Sequence, residues 1–389
     1  LTGGTHNFTV NRRVVGVSGT RLYDATTNAV ASDLSTHTNL VGTETLNLSG
    51  TGTIASKNVG SNKTVSVGTL ALADGSNGGL AANYTLSGGT HQLTVNQRPL
   101  NATLSRQYDG TTTSAGSDLS SFDALQGGET LTLSGSGTSA NANVANGIAM
   151  SSNGNLALVD GTGLASNYSL NSTVINITER VLNSSGSKIY DANTDALAAD
   201  ITLSNLVSGE ALNHSGTATI SSANAGSYTI TNLAGITIAD GSGGTASNYT
   251  LTGGTHNFTV NPKVVSIQGN KTYDGNTTIS SGDITSITDT VGAETLVISS
   301  GSGTVSSANA ATYASAGINE GTLTLGNGTN GGLASNYTLT GHAASSFQVA
   351  QRVLSSSGSR IYDGSTTASS SDLTLSNLVG SETLTLSGN

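Results

Sequence analysis

The chain has 389 residues, of which 9% are charged and 4% aromatic, with no Cys or Trp and a formal net charge of −10. Thirteen scattered cations form no basic patch with interleaved aromatics, which argues against nucleic-acid binding. The lack of Cys excludes disulfide staples and thiolate metal sites, and no run reaches the roughly eighteen apolar residues of a membrane helix, so membrane insertion is not expected.

The opening LTGGTHNFTVN (1–11) recurs letter for letter at 251–261. It starts in mid-pattern and shows no signal peptide, so the chain is expected to be a piece of something longer. After it comes a joint, NFTVNRRVVGVSG, and then the corner RLYDATTNA (21–29). Three segments then alternate apolar and polar residues with the period of half-buried strands: TETLNLSGTGTI (43–54), KTVSVGTLALA (63–73) and NYTLSGGTHQLTV (83–95). Clusters such as ADGSNGG (73–79) read as turns. No stretch carries a helical stripe, although ITLSNLVSGE after Asp200 has room for one helical turn.

The whole sequence then repeats. The corner tyrosine stands at Tyr23, Tyr108, Tyr190, Tyr273 and Tyr362, spaced by 85, 82, 83 and 89 residues, each followed by Asp24, Asp109, Asp191, Asp274 and Asp363. A second tyrosine follows in Asn-Tyr-Thr/Ser-Leu, at Tyr84, Tyr168, Tyr249 and Tyr337. Glu44, Glu129, Glu210, Glu294 and Glu382 keep the same phase. So do the cations ten before the corner tyrosine (Arg13, Arg98, Arg180, Lys263, Arg352) and two before it (Arg21, Arg106, Lys188, Lys271, Arg360), and the aspartates ten after it (Asp33, Asp118, Asp200, Asp283, Asp372). In so uncharged a chain, the module places the charges.

The boundaries expected from this period are 1–12 (last strand of a preceding repeat), 13–97, 98–179, 180–262, 263–351 and a partial fifth repeat, 352–389. Six to eight strands in each repeat suit a small, immunoglobulin-like β-sandwich. Modules joined strand to strand, with Pro99 and Pro262 at joints, suit an end-to-end rod. The alternatives are β-grasp-like modules, which need a helix, and a β-solenoid, which needs a shorter repeat.

The pattern K/R-x-Tyr-Asp-Gly-x-Thr, Gly-Glu-Thr-Leu, Ser-Gly-x-Gly-Thr, Ala-Asn-Ala/Val-Gly and Asn-Tyr-Thr-Leu resembles the YDG domain. It is also similar to the MBG repeats of large bacterial surface proteins, including filamentous-haemagglutinin-like adhesins. The resemblance spans the chain and departs from the pattern at Ala25 and Ala192, where Gly is expected, and in the second repeat, which lacks the GGTH element. It implies an extracellular all-β repeat from the stalk of an adhesin or matrix protein, with its receptor contacted through regions outside this chain, and no catalytic residue.

The residues themselves lead the same way. His6, His91 and His256 sit in the GGTH element and His342 in a looser version of it; they are expected to be outward strand residues, because histidines spaced along an array assemble no nucleophile, base and orienter. Asp74, Asp160 and Asp240 begin Gly-rich turns and are the candidate Ca²⁺ ligands. Each turn offers one carboxylate, and Asn327 stands there in the fourth repeat, so turn chemistry is the expected role and no cofactor is required. Asn-x-Ser/Thr triplets, at Asn7, Asn83, Asn101, Asn171 and Asn336, are what an Asn- and Ser-rich chain gives by chance.

The corner is expected to keep negative φ, since Ala occupies a position that αL would penalise. Its Asp is expected to accept the N–H groups two and three residues on, and its Tyr to pack on its own module. The cation two before Tyr is expected to pair with the Asp ten after it, and the cation ten before Tyr to bridge neighbouring repeats. The expected partners are therefore neighbouring repeats of the same chain, with lateral or end-to-end self-association as a second reading and a glycan-binding module as a third.

Overall fold

The computed structural model describes residues 2–389. It is all-β, and among the described residues the only helical pieces are three-residue 3₁₀ turns. The expected helical turn after Asp200 is a strand, Ile201–Ser204; the 3₁₀ turn lies just before it, at Ala198–Asp200.

The first repeat shows the module. Its strands are β1 (Arg13–Val14), β2 (Gly16–Leu22), β3 (Asn28–Val30), β4 (Thr36–Thr38), β5 (Leu46–Ser49), β6 (Thr51–Ile54), β7 (Gly60–Ser66), β8 (Ala71–Asp74), β9 (Tyr84–Thr85) and β10 (His91–Asn96). Six of them form one sheet in the order β3-β6-β7-β10-β2-β4. A separate antiparallel ribbon, β5 with β8, turns Leu46 and Leu72 into the same core. Strand β10 alternates by burial, with His91, Leu93 and Val95 inward, as a strand with one wet face must.

The sheet centre differs from the antiparallel immunoglobulin pattern in one respect. The first long strand, β2, and the last, β10, run parallel, with Val17 opposite His91 and Leu22 opposite Asn96. That central parallel pair is a departure from the expected pattern, and among the described residues no helix longer than a 3₁₀ turn accompanies it. The later repeats keep it. Asn183–Ile189 lies parallel to His256–Asn261, and Ser266–Thr272 to Ser346–Ala350. In the second repeat, which lacks GGTH, the pair is longest: Arg98–Gln107 runs parallel to Tyr168–Thr178, with one bulge, where Leu100 faces Leu170 and Asn101 faces Ser172.

One glycine is required by close approach. A Cβ on Gly19 would sit 1.7 Å from the carbonyl oxygen of Asp33, and Gly186, Gly269 and Gly358 face Asp200, Asp283 and Asp372 in the same way. There the first strand runs hard against the 3₁₀ turn.

The chain divides into two compact units. One runs up to Arg180 and includes Ser247–Thr250; the other comprises Val181–Ala246 and Leu251–Asn389. Each unit has a continuous apolar core that ignores repeat boundaries. In the first, Tyr23, Leu34, Leu93 and Val95 of repeat one join Leu100, Leu131 and Tyr168 of repeat two. In the second, Tyr190, Phe258 and Val260 join Ile267, Tyr337 and Phe347.

The corner overturns one expectation. Its Ala or Gly has positive φ in every repeat: Ala25 at 64°, Ala192 at 65°, Gly110 and Gly275 at 78°, and Gly364 at 77°. The alanines are tolerated against an αL penalty of about 1 kcal/mol or more. Ala192 is exposed, so Ala192→Gly removes the strain without emptying a contact. It should stabilise the second unit by roughly 1 kcal/mol in denaturant unfolding; a loss of stability would contradict the assignment.

Candidate functional site

The recurring polar residues build two linked structures, a clasped corner and a joint. In the corner, the Asp carboxylate accepts the N–H two residues on: Thr26, Thr111, Asn193, Asn276 and Ser365 donate at 2.9 to 3.1 Å. Among the described residues no bond from the N–H of the residue three on is seen beside it. That residue is the recurrent Thr, and its carbonyl accepts from the next strand, Ile54 N–H to Thr27 and Val305 N–H to Thr277, each at 2.9 Å.

The cation two before Tyr closes the corner, and so it does not pair with the Asp ten after Tyr. Arg21, Lys188, Lys271 and Arg360 reach Asp24, Asp191, Asp274 and Asp363 at 2.5, 2.8, 2.9 and 2.7 Å, and Arg106 pairs with Asp109. Each cation also fills the loop with carbonyl contacts; Lys271 donates to the carbonyls of Asn276 and Thr278 at 2.8 Å. The Asp ten after Tyr turns back on its own 3₁₀ turn instead. Asp118, Asp283 and Asp372 accept the N–H of Ala115, Ser280 and Ser369 at 3.0, 2.8 and 3.0 Å.

The corner tyrosine does not simply rest on its own module; it reaches the next. In the first unit, Tyr23 donates to Glu129 Oε1 at 2.6 Å while Tyr168 donates to Oε2 of the same carboxylate at 2.8 Å. The two rings meet edge to face, with centroids 5.3 Å apart, a geometry that contributes about 0.5–1.5 kcal/mol beyond burial. The Tyr168 hydroxyl also accepts the Gln126 N–H at 3.2 Å. Beside it, Asn167 of the Asn-Tyr pair accepts the Val59 N–H and donates to Asn58 Oδ1, both at 3.0 Å. Arg98 completes the joint, donating to the Tyr23 carbonyl at 3.2 Å and to the Ala124 carbonyl at 3.1 Å. The cation ten before Tyr therefore does bridge repeats.

The second unit repeats the set. Tyr190 and Tyr337 donate to the two oxygens of Glu294 at 2.7 and 2.6 Å, with ring centroids again 5.3 Å apart. Asn336 accepts the Ala225 N–H at 2.8 Å and donates to Asn224 at 3.0 Å. Tyr273 donates to Glu382, and Arg352 to the Tyr273 carbonyl at 3.4 Å. Within the first unit, Tyr108 and Tyr249 pair at 5.4 Å, and Asn248 makes the same two bonds, to Val144 and Asn143. In the first repeat, Glu44 accepts from Tyr84 and, with Arg13, Val41 and Asn83, lines an open groove of about 410 Å³. Tyr23 is fully buried, whereas Tyr362, in the partial repeat, is 90% exposed.

Burial alone would raise the Glu129 carboxyl, but hydrogen bonds from Lys57, at 2.6 Å, Tyr23 and Tyr168 outweigh it and hold the group below its ordinary value. The phenols move the opposite way. Burial, then the bond to the carboxylate, pushes Tyr190 and Tyr337 up to about 12, and Tyr168, mainly through burial, also to about 12.

The histidines correct another expectation. His91 and His256 face inward, 4% and 6% exposed. His91 Nδ1 accepts the Val17 N–H at 3.3 Å and its Nε2 meets the Leu86 carbonyl at 2.9 Å, which stitches the central parallel pair to the loop before it. His256 bonds Ser184 and the Leu251 carbonyl in the same manner. In the fourth repeat Ser345 takes this role, accepting the Ile267 N–H at 3.0 Å, while His342 lies 3.3 Å from Glu320. His6 is exposed.

The candidate Ca²⁺ ligands act singly. Asp74, Asp160 and Asp240 accept the N–H of Ala81, Ala165 and Ala246 at 2.7, 2.6 and 2.7 Å, and Asn327 does the same for Ala334 at 2.8 Å. An amide oxygen serves as well as a carboxylate, so the task is to start the turn that presents Asn-Tyr. Among the described residues no three His, Asp or Glu side chains converge as a metal site. Of the glycosylation triplets, Asn336 is wholly buried in a joint.

The joint sets a pH window. Glu129 is depressed in the fold, so its stabilisation is present above its unfolded value near 4.5 and is lost as pH falls through the lower folded value. The tyrosines are raised, so theirs is full below 10.0 and is lost as pH rises towards about 12. Glu129→Gln should cost roughly 1–3 kcal/mol at neutral pH and flatten the acid limb of the first unit's unfolding profile. An acid limb identical to wild type would contradict the assignment.

Comparison with known proteins agrees with the repeat. No curated protein matches the sequence. The pattern of the YDG domain matches three tandem stretches, residues 9–93, 91–175 and 178–257, which together span well over half of the chain. This chain belongs to the YDG domain family.

Proposed function

We propose that this chain is a structural repeat region, the extracellular stalk of a large bacterial surface adhesin. It holds a binding tip away from the cell, contacts its receptor only through regions outside this sequence, and carries out no catalysis. The observation that carries the reading is the joint. In both units a part-buried carboxylate ties two tyrosines from consecutive repeats over a shared core. The recurring Tyr, Asp, Glu, Asn and Arg positions are occupied in building corners and joints, which leaves the array itself as the product of the sequence. A tandem array of this kind gains stability from each nearest-neighbour interface and resists bending where a direct strand junction replaces a linker.

Scattering and electron microscopy of the purified chain test the proposal. The expected result is single, extended chains. Ordered multi-chain filaments would favour a self-associating sheath or matrix fibre instead, and specific signals on a glycan array would favour a carbohydrate-binding module.

A further inference from the structure

The tyrosines of each joint meet in a way that a hydrogen-bonding role alone does not require. In Tyr23–Tyr168 and Tyr190–Tyr337 the two hydroxyls bind the two oxygens of one carboxylate, so the hydroxyl ends of both rings converge on the same group. The centroids stand 5.3 Å apart in Tyr23–Tyr168 and Tyr190–Tyr337, and 5.4 Å apart in Tyr108–Tyr249, always edge to face at 76° to 78°. The two rings are in contact, a tyrosyl radical carries its spin on the carbons beside the hydroxyl, and in Tyr23–Tyr168 and Tyr190–Tyr337 a carboxylate is in place to accept the phenol protons. The chain has no cysteine with which to staple one repeat to the next.

We propose that these pairs are oxidative cross-linking sites, at which a peroxide-derived one-electron oxidant joins the two rings into dityrosine and locks consecutive repeats covalently. Each phenol gives one electron to the oxidant and its hydroxyl proton, through the shared glutamate, to water. The two radicals form one bond between ring carbons ortho to the oxygens, and the hydrogens on those carbons shift to the oxygens and restore both phenols. The pair loses two electrons and two protons in all, and one hydrogen peroxide takes them up to become two waters. The joints differ in one respect. Lys57 Nζ stands 5.9 Å from the centre of the Tyr23 ring, and the aligned position of the Tyr190 joint is Ala223. A cation beside a ring opposes removal of an electron, so Tyr190–Tyr337 couples first.

The test oxidises the full chain with a photo-activated ruthenium complex and persulfate, a one-electron oxidant that works at a distance, and in parallel with peroxide and a peroxidase. Cross-linked peptides are then mapped by mass. The expected products are intramolecular Tyr190–Tyr337 and Tyr23–Tyr168 links, each lighter by two hydrogens, with the former accumulating earlier. Tyr337→Phe removes the first link and leaves the second, so each joint reports on the folding of the variant in the other. The exposed Tyr362 serves as the internal control for oxidation. Links confined to Tyr362 between chains, or tyrosine consumed without either pair joining, would overturn the proposal. Failure here leaves the joint as a non-covalent contact, which scattering tests separately.

Discussion

Everything in this chain turns on a glutamate that must be buried to do its work. Glu129 has a side chain only 8% exposed, and a carboxylate taken from water is costly unless donors replace the water it loses. Two tyrosine hydroxyls and a lysine supply them in the first unit, two tyrosine hydroxyls in the second. Because one of those tyrosines always comes from the preceding repeat, the cost is offset only when two repeats are docked. The carboxylate is thus a sensor for a neighbour, and an isolated repeat would leave a charged group with half its partners.

The rest of the module can be read as the apparatus that delivers those donors. The cation and Asp of the corner clasp a loop whose αL residue redirects the chain just after Tyr, which fixes where the ring leaves the sheet. The Asp or Asn that opens the later turn caps the 3₁₀ piece presenting Asn-Tyr. The inward His or Ser holds the central parallel strands, at whose ends the corner and the joint lie. In a chain with 9% charged residues, the corner cations and aspartates and the joint glutamates each have such a task.

Much of this was legible in the sequence. Alternation gave the strands, and the period gave the repeats and the joint cation. The partner of the glutamate was hidden for a simple reason: periodicity fixes phase but not the repeat from which a contact comes. Glu129 is equally in phase with Tyr108 of its own repeat and with Tyr23 of the one before, and only the fold shows that Tyr23 is the donor. The positive φ at Ala25 and Ala192 was hidden because the αL cost of Ala is local, whereas the clasp that offsets it forms only in the folded corner. The inward histidines did leave a trace. His91, Leu93 and Val95 alternate on one face, and the polarity of GGTH masked that pattern. The parallel central pair had no local signal, since it joins the two ends of a repeat.

The central claim is that Tyr190 and Glu294 couple two repeats, and a double-mutant cycle measures that coupling directly. Tyr190→Phe, Glu294→Gln and the double variant would be compared by denaturant unfolding of the second unit, with hydrogen exchange reporting whether both of its repeats open together. The account predicts a coupling energy of about 1–2 kcal/mol and loss of concerted opening in each variant. Strictly additive effects, with the two repeats still opening as one, would contradict it.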